Sequence, residues 1–249
     1  MKIIITALFG LESLVRQDLE SVGFSRENIE VSDGVISLSV KDADIGSAVA
    51  RANIWVRHGE RVLLEIDHFK ADTFDDFFDQ MRVVRWETYI PDGYAFHVNG
   101  YSRKSALFGI PACQGLCKKA IVGRLQETRY KGHRDIVPED VRKGLINVRF
   151  SIVSDQVSVM VDTTGDGLHK RGYRPLRHIA PIKESLASGL VCLSNYKPFG
   201  YEALVDPFCG SGTIVIEAAM RALNIAPGLH RPFDAEKWPF IGKKYFDDK

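Results

Sequence analysis

"LVDPFCGSGTIVIEAAMRAL", residues 204–223, passes from a short apolar stretch through two glycines into apolar residues at helical spacing. The pattern predicts a strand over Ala203–Asp206, a tight turn carrying Gly210 and Gly212, and a helix from Thr213. In an open α/β sheet, ligands lie beyond the carboxyl ends of the strands, where such a turn falls. Glycine lets the backbone approach a ligand without a Cβ clash, and the N–H groups of the next helix suit an anionic group. Two common ligand motifs are excluded. The phosphate loop GxxxxGK[ST] needs a lysine where Gly212 stands, and the dinucleotide fingerprint GxGxxG needs a glycine where Val215 stands. A tight strand–helix turn with no ligand is the plainer alternative.

Upstream, "KIIIT" reads as a strand and "LFGLESLVRQDLESVGF" as a helix closed by Gly23. "IEVSDGVISLSV" alternates about Asp33-Gly34 as a hairpin, "DADIGSAVARANI" is a second helix, and "ERVLLEIDHF" is the next strand. That order over residues 1–68 predicts a ferredoxin-like α+β unit. Residues 69–163 form a second unit. It has the helix "TFDDFFDQMRVV" with Asp72 or Thr73 near its cap, the strand "YAFHVNGYS", and the long helix "PACQGLCKKAIVGRLQETRY". Two strands follow around Ser154-Asp155. Pro111 falls in the first turn of the long helix, where its missing N–H costs little. "TTGDGLHKRGYRPLRH", residues 163–178, is a connector rich in Gly and basic residues, and "APIKESLASGLVCLSNY" opens the third unit, residues 179–249, with an amphipathic helix.

The net charge of +1 conceals an uneven distribution: residues 1–100 carry −7, residues 101–150 carry +7, and residues 151–249 carry +1. A strongly basic middle points to nucleic acid, with a merely solvated face as the alternative. Arg103, Lys104, Lys118 and Lys119, with His169, Lys170, Arg171, Tyr173 and Arg174 of the connector, are the candidate RNA contacts. Cations neutralise phosphates, and a Tyr ring or Arg plane stacks on an unpaired base. Cys113, Cys117, Cys192 and Cys209 form no pairing framework and lack the partners of a metal set, so they read as thiols in a reducing cytoplasm. No apolar run is long enough to span a membrane, and the N-terminus does not read as a signal peptide.

Asp206-Pro207-Phe208-Cys209-Gly210-Ser211-Gly212-Thr213 resembles the first motif of class I S-adenosylmethionine-dependent methyltransferases, in the form used on exocyclic amines of nucleic-acid bases. "LHKRGYR" followed by "APIKESLASGLV" is similar to the junction and first catalytic helix of the bacterial THUMP-domain guanine-N2 methyltransferases of large-subunit ribosomal RNA. "GIPACQGLCKKAI" and "VRFSIVSDQVSVMVDTTGDGLHKRGYR" look like that family's THUMP domain, and the opening helix resembles its N-terminal ferredoxin-like domain.

The resemblance implies a mixed α/β and α+β chain. Its parts are a ferredoxin-like domain (1–68), a THUMP RNA-binding domain (69–163), a basic connector (164–178) and the beginning of a Rossmann-like methyltransferase domain (179–249). It implies S-adenosylmethionine as cofactor, bordered by Asp206, Pro207, Phe208, Gly210, Ser211, Gly212 and Thr213 and by Lys183 and Glu184. Ribosomal RNA is the implied partner, with guanine N2 of 23S ribosomal RNA as the methyl acceptor.

The family's amine-orienting Asn/Asp-Pro-Pro-aromatic tetrapeptide does not occur in the sequence. The chain is therefore expected to be an N-terminal fragment, inactive alone and needing a C-terminal half or a second copy to cover residues 179–249. A stand-alone RNA-binding or assembly protein with a methyltransferase remnant is the alternative. A tRNA thiolation enzyme is disfavoured, because no SGGxDS-like loop is found.

Overall fold

The computed structural model describes residues 1–130, 137–174, 181–194, 196–200 and 203–247. Two compact units divide the chain. The first comprises the described residues of 2–62, 163–236 and 243–249; the second comprises Met1, residues 63–162 and residues 237–242.

The first unit opens with β1 (Lys2–Ala7), α1 (Glu12–Ser21), β2 (Ile29–Ser32), β3 (Val35–Ser39), α2 (Ile45–Trp55) and the start of β4 (Gly59–Lys70). β3 lies between β1 and β2 and pairs antiparallel with both, with Ile4 opposite Ser37 and Val31 opposite Ile36. This is the split βαβ order that the spacing predicts. Gly34 turns the β2–β3 hairpin at φ +70°, a conformation that costs glycine little. Ile3, Ile5, Leu14, Val15, Leu19, Ile36 and Leu38 are buried between sheet and helices.

Polar groups tie distant sequence into this unit. Asn53, fully buried in α2, donates to Thr163 Oγ1 at 2.9 Å and accepts from Thr164 Oγ1 at 2.9 Å. Asp18 of α1 accepts from the backbone N–H groups of Arg57 (2.8 Å) and His58 (3.0 Å) and faces His58 Nδ1 at 2.9 Å. The unit also holds α6 (Glu184–Leu193) and α7 (Thr213–Ala222), which pack on each other. Between β4 and α6 the chain runs through the second unit.

In the second unit, α3 (Phe74–Val83), α4 (Trp86–Tyr89), β5 (Tyr94–Arg103), α5 (Ile110–Leu125), β6 (Asp140–Val153) and β7 (Gln156–Asp162) follow the rest of β4. The strand order is β4-β7-β6-β5, with β5 parallel to β6 and the other pairs antiparallel. Ser154 and Asp155 both take positive φ, the two-residue hairpin that best matches strand twist. Thr73 caps α3 by accepting from Asp76 N at 3.1 Å. Phe77, Met81, Trp86, Ile121 and Phe150 fill the space between helices and sheet, together with Cys113 and Cys117. Burial pushes both thiols up, Cys117 the more, as inert core groups.

One expected element is absent. Residues 203–206 are described but form no strand, and Val205 is 78% exposed. An extended segment becomes a strand only by pairing its backbone with a neighbour, and no described strand lies beside this one.

Candidate functional site

The glycine turn forms without its strand. Gly210 and Gly212 take left-handed φ of +51° and +73°, and Gly212 stands as the N-cap of α7. Asp206 Oδ1 accepts from Phe208 N at 3.1 Å, and Gly212 N donates to Cys209 O at 2.7 Å. Gly212 O then accepts from Ile216 N at 2.9 Å, the first bond of the helix. Phe208 is 94% exposed and Cys209 is exposed. A Cβ on Gly210 would meet nothing nearer than Phe208 O at 3.9 Å, so the outer side of the turn is open to a ligand.

Behind the turn lies a cluster of paired charges. Arg174 Nη1 meets Glu184 Oε1 at 2.9 Å, while its Nη2 donates to the Thr213 hydroxyl and lies 3.4 Å from Ser211 Oγ. One turn further along α7, Glu217 is 0% exposed; its Oε1 accepts from Tyr173 Oη at 3.0 Å and faces Arg171 Nε at 3.4 Å. Glu217 Oε2 is buried with no hydrogen-bond partner among the described residues. Arg171 also donates to Leu168 O at 2.8 Å and to Arg57 O. Burial, followed by the charge of Glu217, pushes the Tyr173 phenol up.

A second carboxylate secures the start of α6. Glu60 accepts from Ser185 Oγ at 2.6 Å and from Lys183 Nζ at 2.9 Å, with His169 at 3.8 Å. Burial raises the Glu60 pKa, but the bonds from Ser185 and Lys183 outweigh it and hold the carboxyl below its usual range. Burial pulls His169 down, against the pull of Glu60.

Several sequence assignments need correction here. Arg171, with 1% of its side chain exposed, is held inside the first unit by Glu217, so it is not an RNA-facing cation. Tyr173 and Arg174 are also turned to protein partners, because two buried carboxylates require them. Lys183 and Glu184 are engaged by Glu60 and Arg174. Lys170 is exposed and pairs with Asp166 at 2.8 Å. In the second unit, Arg103, Lys104, Lys118 and Lys119 are all exposed. Lys118 lies 5.5 Å from the Phe96 ring and Lys119 lies 5.7 Å from the Phe78 ring. Sequence reasoning missed Glu60 and Glu217. Glu217 carries a signal, as the one charge in the apolar run "TIVIEAAM".

The chain thus has a left-handed glycine turn opening a helix, on a mixed α/β scaffold with a ferredoxin-like start, and its relatives are methyltransferases. Residues 171–245 match the family model described as RMKL-like, methyltransferase domain, and residues 2–63 match the RlmL ferredoxin-like domain. These matches make two parts of the chain similar to the RMKL-like methyltransferases.

YpsC of Bacillus subtilis, provisionally named an RNA methyltransferase, is 41% identical over 97% of this chain and 60% of its own length. The ribosomal RNA large subunit methyltransferase K/L of Syntrophotalea carbinolica is 33% identical over 97% of the chain and 32% of its own. Among solved structures, a Listeria monocytogenes protein provisionally titled an N6-adenine-specific DNA methylase superposes with TM-score 0.88 at 39% identity, over 99% of this chain and 62% of that one. SMU.472, provisionally titled a methyltransferase and solved with SAH, gives 0.84 at 37% over the same shares. The chain thus spans less than two thirds of these relatives. No helix among the described residues is long and apolar enough to cross a membrane.

Proposed function

We propose that the chain is the RNA-binding and cofactor-turn part of an S-adenosylmethionine-dependent methyltransferase acting in the cytoplasm on guanine N2 of 23S ribosomal RNA. The observation that carries this reading is the Asp206–Thr213 turn, whose two left-handed glycines leave its outer side open. When bound, the cofactor supplies an activated methyl group. The chain's own contribution is to let the backbone at Gly210 and Gly212 approach the methionine part, with Asp206 closing the turn by its bond to Phe208 N. Residues 69–163 act as a THUMP domain, in which Arg103, Lys104, Lys118 and Lys119 neutralise phosphates. Lys118, Lys170 and His169 are weaker candidates, since each already faces a carboxylate.

Orientation of the acceptor amine needs the Asn/Asp-Pro-Pro-aromatic motif, which these 249 residues lack. Turnover is therefore expected from a polypeptide that carries this motif, in cis or in trans, and not from residues 1–249 by themselves. The test is to incubate the full-length gene product with labelled S-adenosylmethionine and deproteinised 23S ribosomal RNA, then map the modified base. Label on guanine N2 supports the reading. Label on adenine or on DNA, or turnover by residues 1–249 alone, overturns it.

A further inference from the structure

We propose that Arg174 is a positioning residue for the cofactor turn, acting on its geometry through Glu184, Ser211 and Thr213, and that it is not an RNA ligand. The proposal rests on the reading of Asp206–Thr213 as the cofactor turn. Three chain segments meet at this one guanidinium. Nη1 holds Glu184, the first residue of α6, at 2.9 Å; Nη2 holds Thr213, the first residue of α7, and reaches Ser211 at 3.4 Å. The Arg174 side chain is only 17% exposed and Glu184 is buried, so the ion pair is largely removed from screening water.

The turn needs such a fixed point. Between Asp206 and Thr213 the chain has two glycines in the left-handed region, and glycine gives up the most conformational freedom when it is ordered. On its downstream side, Thr213 is buried, and its hydroxyl is bonded by Arg174 and lies 3.0 Å from Ser211 Oγ. Beneath it, Tyr173 and Arg171 hold Glu217, four residues further along α7. The connector thus meets α7 and its turn with three polar side chains, and the paired charges cancel. That arrangement leaves no free cation at 171 or 174 to attract phosphate. It also explains why a fork is needed: a lysine ammonium is a point charge that does not reproduce a guanidinium's two-armed grip.

The test uses the full-length protein and titrates S-adenosylhomocysteine by calorimetry alongside ribosomal RNA binding at several salt concentrations. Arg174→Lys is expected to weaken S-adenosylhomocysteine by about tenfold or more, as for loss of a charge-assisted hydrogen bond. RNA affinity and its salt dependence should stay within about twofold. The KM for cofactor should rise without a matching rise in the KM for RNA. Because Arg174→Lys alters the partner of a buried carboxylate, the double variant R174M/E184Q, which removes both charges, checks the result on a differently balanced fold; it should lose cofactor affinity similarly. Thr213→Val should cost less in the R174K background than in the wild type, as coupled groups require. Unchanged cofactor affinity in a folded variant, weakened RNA binding with a shallower salt slope, or strict additivity with Thr213→Val overturns the proposal. A wild-type protein that binds no S-adenosylhomocysteine at all refutes the cofactor reading beneath it instead.

Discussion

Arg171 Nε and Glu217 Oε1 face each other at 3.4 Å with 1% and 0% of their side chains exposed, an ion pair wholly inside the first unit. Such a pair is costly to assemble and costlier to break, because removing one partner leaves a buried, uncompensated charge. Arg171→Met is expected to destabilise the fold by about 3–5 kcal/mol in urea denaturation, and R171M/E217L by clearly less. Equal losses in the single and double variants would show that Arg171 acts through packing and its bonds to Leu168 O and Arg57 O.

Acid should loosen the start of α6. The Glu60 carboxyl lies below its usual pKa in the fold, so its stabilising effect is present above the unfolded value near 4.5 and lost as pH falls through the folded value. His169, pulled down by burial, adds a loss that begins at higher pH, as the solution falls below the unfolded imidazole value near 6.5. Urea stability measured from pH 7 to 3 should therefore fall in two stages. Glu60→Gln should remove the lower stage and His169→Gln the upper.

Two glycines should answer alanine with opposite signs. A Cβ on Gly228 would stand 2.7 Å from Ile54 Cα, 2.7 Å from the Phe233 ring and 2.9 Å from Asn53 O, so backbone as well as a buried ring would have to move aside. Gly228→Ala is expected to cost about 1–3 kcal/mol. A Cβ on Gly115, in the middle of α5, meets nothing within 4 Å, so Gly115→Ala should gain up to about 1 kcal/mol from helix propensity. Thermal unfolding of the two variants checks both signs.

RNA affinity should follow the exposed cations and ignore the buried ones. Replacing Arg103, Lys104, Lys118 and Lys119 by Gln is expected to weaken binding broadly and flatten its dependence on salt, by roughly one unit of slope for each phosphate no longer neutralised. A filter-binding series in which these four changes leave the salt slope untouched would remove the second unit from the RNA interface.

Gly212 should matter to the ligand as well as to the fold. At φ +73° a β-branched residue is strained by roughly 1–2 kcal/mol, yet its Cβ would touch only Val215 and Ile216 at 3.6 and 3.7 Å. In the full-length protein, a folded Gly212→Val variant should lose S-adenosylhomocysteine binding by calorimetry and keep its RNA binding.

The sequence by itself determined the elements and their order. Alternation about Asp33-Gly34 and strand-rich flanks about Ser154-Asp155 set the hairpins, and apolar residues at helical spacing set α1, α6 and α7. The ferredoxin-like order followed, because these are local periodicities that each segment carries within itself. The glycine pair of the turn was legible for the same reason: left-handed φ is a property of single residues. The direction in which the connector's charges face was not legible. "LHKRGYR" has the composition of an RNA contact, but Arg171, Tyr173 and Arg174 turn inward because Glu217 and Glu184 lie buried opposite them. A charge's partner 10 to 46 residues away is a matter of packing, which no local pattern records. Ala203–Asp206 likewise has the residues of a strand but pairs with no strand among the described residues, since a strand exists only where another backbone lies beside it to share its hydrogen bonds.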